Sequence, residues 1–131
     1  MRRSNTIMRT AKRSSRRWLL GASVALAPTL ALAQGENVTT FRHEIAPGKI
    51  VEECRALGAG QVVRYRFKVS AVVDFNVHFH RGDTVEYPVK KDGVTEEASS
   101  FVAPSVEEFC WMWSNRNTSL VVVQGEIAPR K

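Results

Sequence analysis

His78 and His80 flank Phe79 in the run Asp74-Phe75-Asn76-Val77-His78-Phe79-His80. On an extended chain, residues two apart project from one face, so the two imidazoles can share a metal ion such as zinc or copper. Asp74, Asn76 or His43 can complete such a set. The plainer reading is a pair of exposed histidines at a strand end, making ordinary polar contacts. Cys54 and Cys110 are the only cysteines. In an oxidising compartment an even pair in a small chain reads as a disulfide. Closing so long a loop is worth about 4 kcal/mol in the chain-entropy model. A redox-active pair would be written Cys-x-x-Cys, which is absent. Blue-copper chemistry is excluded, because Met112 lies near Cys110 but no histidine follows that cysteine.

Phe109, Trp111 and Trp113 alternate with Cys110 and Met112, so only one of the two sets can face a core. If the aromatics face inward, each contributes on the order of 2 to 3 kcal/mol by burial. If the disulfide holds Cys110 inside, the aromatics form an outer contact surface, with Trp111 and Trp113 as its candidates. The core reading is preferred, with at least one tryptophan shared between core edge and surface. No Gly-x-Ser-x-Gly elbow, His-Glu-x-x-His helix or glycine-rich phosphate loop occurs, so hydrolytic and nucleotide chemistry lack their usual residues. Arg81-Gly82-Asp83 reads as turn chemistry.

Period-two patterning must position these residues. Val63, Tyr65, Phe67 and Val69 alternate with Arg64, Arg66 and Lys68, and Val73, Phe75, Val77 and Phe79 alternate with Asp74, Asn76, His78 and His80. Further strands are predicted near Val38 to Ile45, Lys49 to Ala56, Val85 to Val89, Val94 to Ala103, Val106 to Ser114 and Thr118 to Ile127. A tight hairpin is expected at Lys91-Asp92-Gly93. About eight short strands favour an all-β, two-sheet antiparallel sandwich, with a jelly roll as the expected topology.

Residues 1–33 read as a cleavable secretory signal: an arginine-rich head, an apolar run from Trp18 to Ala33, and small residues before Gln34. Ser15-Arg16-Arg17-Trp18-Leu19-Leu20 resembles the bacterial twin-arginine signal, which implies export of a folded protein. The apolar run is shorter than the roughly 20 residues of a spanning helix and holds Pro28, so no stable membrane anchor is expected after cleavage. The signal carries 7 of the 19 basic residues and no acid, which leaves 12 bases against 13 acids in residues 34–131, a net of −1. Nucleic-acid binding is therefore excluded, since the excess positive charge belongs to the signal.

Several landmarks between Val38 and Ile127 occur in a familiar order: Glu53-Cys54, Asp74-Phe75-Asn76-Val77, Phe101-Val102-Ala103 and Phe109-Cys110-Trp111-Met112-Trp113-Ser114-Asn115. Together they resemble the GOLD domain, a β-sandwich of cargo adaptors in the early secretory pathway. The resemblance implies a GOLD-like sandwich at residues 34–131, a Cys54–Cys110 disulfide, and a domain that binds protein or lipid. The adaptors' coiled coil and transmembrane helix are absent, so cargo sorting does not transfer. The sequence thus points to a periplasmic or secreted non-enzymatic binding or accessory module acting through a protein partner, without a cofactor. The alternative is a small periplasmic metal-binding protein using His78 and His80.

Overall fold

Among the described residues, alternation of apolar and polar side chains builds six antiparallel strands: β1 (Thr39–Ile45), β2 (Ile50–Leu57), β3 (Val62–Arg81), β4 (Thr84–Val102), β5 (Glu107–Ser114) and β6 (Val121–Pro129). The computed structural model describes residues 37–130, with no helix among them, and the expected signal at 1–33 lies outside the described residues. The expected eight strands are six because two pairs of them are continuous. The Val63–Val69 and Val73–Phe79 segments are one strand, β3, and the Val85–Val89 and Val94–Ala103 segments join as β4.

β3 and β4 form one long hairpin closed by Gly82 and Asp83, with Arg81 opposite Thr84. Gly82 takes the left-handed conformation at φ 59°, as the first central residue of a type II′ turn requires. Asp92-Gly93 makes no hairpin. Two residues there oppose the single Asp74 between the Val73–Val94 and Phe75–Lys91 pairs, and Gly93 at φ 69° forms a bulge that bends β4 without ending it. On the other edge of β3, Val63–Val69 pairs with β6 and Asp74–His78 pairs with β5. The four residues between them are where β3 changes partner.

Every strand thereby belongs to one six-stranded sheet, ordered β1-β6-β3-β5-β2 with β4 along β3. Where two separate sheets in a jelly-roll order were expected, the hydrogen-bonded ladders form one continuous sheet. The sheet curls into a half-barrel, and its two halves face each other through aromatic rings. Phe67 and Phe41 meet Trp113, while Tyr65 and Phe101 meet Trp111, at centroid distances of 4.9 to 6.0 Å. Trp111 and Trp113 are 0% and 1% exposed, so neither offers a contact surface. Their strand turns its aromatics inward and places Cys110 and Met112 on the outer side. Gly125 marks the tightest crossing, because a Cβ there would strike the Arg66 carbonyl oxygen and come within 2.8 Å of both Phe41 and Phe67.

Candidate functional site

The outer side of β2, β5 and the second half of β3 holds the two cysteines together with Asp74, Asn76, His78 and His80. Register sets Cys54 opposite Cys110, and Cys110 opposite His78, so one row across three strands reads cysteine, cysteine, histidine. The Cys54–Cys110 disulfide forms as expected. His78 faces outward as predicted, yet it is buried, covered by the Tyr87 ring at 5.7 Å and the His80 ring at 5.4 Å. Its Nδ1 donates to Asn76 Oδ1 at 2.8 Å, because an amide oxygen can only accept. Its Nε2 lies 3.6 Å from Glu52 Oε1. Burial holds the His78 imidazole below the ordinary histidine range, opposed by the Glu52 charge and helped by His80.

The third ligand expected for a His78–His80 pair does not come from the residues named for it. Asn76 is occupied in orienting His78, and Asp74 pairs with Arg116 and accepts the Gly93 N–H at 3.1 Å. His43 lies on the inner side, where its Nε2 meets Glu53 Oε1 at 2.7 Å. The residue found near His78 Nε2 is Glu52, one of the adjacent pair Glu52-Glu53 and not among the ligands named from the sequence. Alternation separates that pair: Glu52 points out, while Glu53 points in and holds Arg55 at 3.1 Å as well as His43. This half-buried trio lies on the inner side of β1 and β2, the two terminal strands of the sheet.

A second constellation lies at one end of the half-barrel, in the β5–β6 loop. Asn115 is 1% exposed and uses its whole amide. Its Nδ2 donates to the carbonyls of Ile45 and Ser119 at 2.8 and 2.9 Å, and its Oδ1 accepts from the backbone N–H and the side chain of Asn117, both at 2.8 Å. Asn117 also donates to the Val72 carbonyl at 2.7 Å, which pins the loop to the point where β3 changes partner. Backbone bonds from Gly48 to the Asn115 oxygen and from Asn115 to the Lys49 oxygen tie in the β1–β2 turn. The network leaves Ile50, Val72 and Leu120 exposed by 50 to 53% around a loop whose backbone is fixed. Sequence reasoning noted Asn115 only as part of an aromatic and cysteine signature. The signal for its role was an asparagine directly after a strand, followed two residues later by another.

These features define an all-β, disulfide-tied half-barrel with one braced loop. No family model matches the chain, and no curated protein matches it in sequence. Its fold is similar to that of PliG, a periplasmic lysozyme inhibitor of g-type lysozyme from Aeromonas hydrophila. The TM-score is 0.56 at 17% identity, covering 75% of this chain and 90% of PliG. It is also similar to the Yersinia pseudotuberculosis-derived mitogen, with TM-score 0.55 at 11% identity over 71% of this chain and 86% of the mitogen. These likenesses bear on the all-β fold and do not reach the GOLD family.

Proposed function

We propose that this chain is an exported, non-enzymatic binding module that docks a protein through its braced β5–β6 loop, in the manner of an enzyme inhibitor. The observation carrying this reading is the saturated Asn115 amide, which fixes a loop beside exposed Ile50, Val72 and Leu120. A loop ordered before binding loses little conformational entropy on docking, so even a modest apolar contact can yield useful affinity. The fold shared with PliG supports the inhibitor class, and the disulfide fits an oxidising, periplasmic or secreted location. The GOLD resemblance points the same way, toward protein contacts.

The test is a panel of cell-wall hydrolases, g-type lysozyme included, assayed for clearing of cell-wall suspensions with and without the chain. The expected result is inhibition of at least one hydrolase. Leu120→Asp and Arg116→Glu should weaken it by roughly tenfold or more while leaving the melting temperature within a few degrees. Inhibition that ignores both loop variants, or none across the panel, would overturn the reading.

A further inference from the structure

The row Cys54, Cys110, His78 has a second use once the disulfide is opened. In the neutral imidazole Asn76 fixes the His78 proton on Nδ1, so Nε2 carries a lone pair, and what it faces at 3.6 Å is a carboxylate oxygen of Glu52. Two acceptors opposed in this way have no hydrogen to share. Two nitrogen or oxygen ligands on one tetrahedral ion, each bonded at about 2.1 Å, sit about 3.4 Å apart. The spacing is therefore close to that of two ligands of a common cation. Sulfur completes the set, since the donor atoms of Glu52, His78 and Cys110 all lie within 4.8 Å of one another.

We propose that reduction of Cys54–Cys110 creates a zinc site whose four ligands are the two cysteine thiolates, His78 Nε2 and a Glu52 carboxylate oxygen. While the sulfurs are bonded to each other neither is a thiolate, and only one nitrogen and one oxygen are offered. A dithiol reductant breaks the S–S bond by delivering two electrons and two protons, and is itself oxidised to a disulfide. Zinc then displaces both thiol protons to solvent as the two Zn–S bonds form. Thiolates select zinc over magnesium or calcium. Two sulfurs bonded to zinc at about 2.3 Å lie about 3.8 Å apart, a separation that directly opposed side chains on neighbouring strands reach without breaking the ladder. Asn76 acts on the imidazole as an outer-shell partner that fixes its tautomer and orientation. Exchange with a small-molecule disulfide, which takes up the two electrons, and two protons from solvent, to become thiols, re-forms the Cys54–Cys110 bond, withdraws both thiolates and releases the ion.

The experiment compares the purified chain as the disulfide with the same chain reduced by a dithiol and desalted without oxygen, using Co2+ as a spectroscopic probe and Zn2+ as competitor. The reduced chain should bind one ion with a sulfur-to-cobalt charge-transfer band and tetrahedral visible bands, both lost on adding zinc. The disulfide form should show neither band. Glu52→Gln, a change at an exposed side chain, should keep the charge-transfer band but weaken zinc binding by roughly tenfold or more, as should His78→Gln. Glu108, whose carboxylate lies within 4.8 Å of both sulfurs, is the rival oxygen ligand: Glu108→Gln should leave zinc affinity unchanged, and a loss there with Glu52→Gln silent would overturn the assignment. A reduced chain that takes up no cobalt, or that has lost its near-ultraviolet circular dichroism, would overturn the proposal. So would zinc affinity untouched by both Glu52→Gln and His78→Gln, which would mark a bare dithiol pair.

Discussion

Replacing Asn115 by alanine is the sharpest test of the braced loop. The substitution removes four hydrogen bonds of 2.8 to 2.9 Å from a side chain that is 1% exposed. At about 1 kcal/mol each the loss is about 4 kcal/mol. Water can reach the Ser119 carbonyl and the Asn117 groups once the loop loosens, whereas the Ile45 carbonyl stays inside, so about 3 kcal/mol is the net expectation. For a domain near 100 residues this lowers the melting temperature by roughly 12 to 20 °C. Urea unfolding with the disulfide intact, followed by tryptophan fluorescence, should show a lower midpoint at an unchanged slope. Asn115→Asp keeps the acceptor but sets a carboxylate oxygen against the Ile45 and Ser119 carbonyls, so it should cost at least as much as alanine. A loss below about 1 kcal/mol in both variants would refute the claim that this amide organises the loop.

Other outcomes follow from the same geometry. Opening the disulfide, which spans 56 residues, should lower stability by about 4 kcal/mol in the loop-entropy model, measured by urea unfolding of Cys54→Ser/Cys110→Ser against the parent. Gly125→Ala should destabilise by several kcal/mol, because the new methyl meets backbone at Arg66 as well as two side chains, and thermal unfolding reads it directly. Burial raises the Tyr65 phenol above its ordinary value of 10.0. The folded state thus holds that proton more tightly than the unfolded chain. The associated stability is complete below pH 10 and is lost as pH climbs through the folded pKa. Tyr65→Phe should flatten that alkaline decline in a series of denaturation curves.

Strand positions were legible wherever one face is wet and the other dry, as in Val63 to Val69, since alternation is written by burial itself. Continuity was not. Ser70-Ala71-Val72 and Asp92-Gly93 read as interruptions, but a change of neighbour and a bulge leave the strand running, and local patterning cannot distinguish these from a turn. The curl hid the partners as well: whether β3 pairs with β5 or β6 depends on residues 32 or more positions away. At the outer face, the disulfide followed from a count of cysteines, and His78 was visible from its spacing to His80. Glu52 was not, because its approach to His78 spans two strand spacings and depends on side-chain reach rather than on sequence distance. Trp111 and Trp113 were ambiguous for one reason: a disulfide can lie on the dry or the wet side of its strands, and here it takes the outer one.

The β3–β4 hairpin also sets an order of events as the chain folds. Its pairing grows outward from Gly82 and Asp83, so each new rung joins residues already held close and little loop entropy opposes it. The β1–β6 pairing instead joins Thr39 to Ile127, and β2–β5 joins Ile50 to Ser114, links that wait until most of the chain has been made. The hairpin is therefore the natural early scaffold, and its β3 edge is a template read in two halves, by β5 and then by β6. Until those strands arrive, Phe67, Phe75 and Phe79 stand uncovered. A polypeptide stopped short of residue 107 would hold a paired ribbon with a bare aromatic face, the form in which this molecule is most exposed to aggregation and proteolysis.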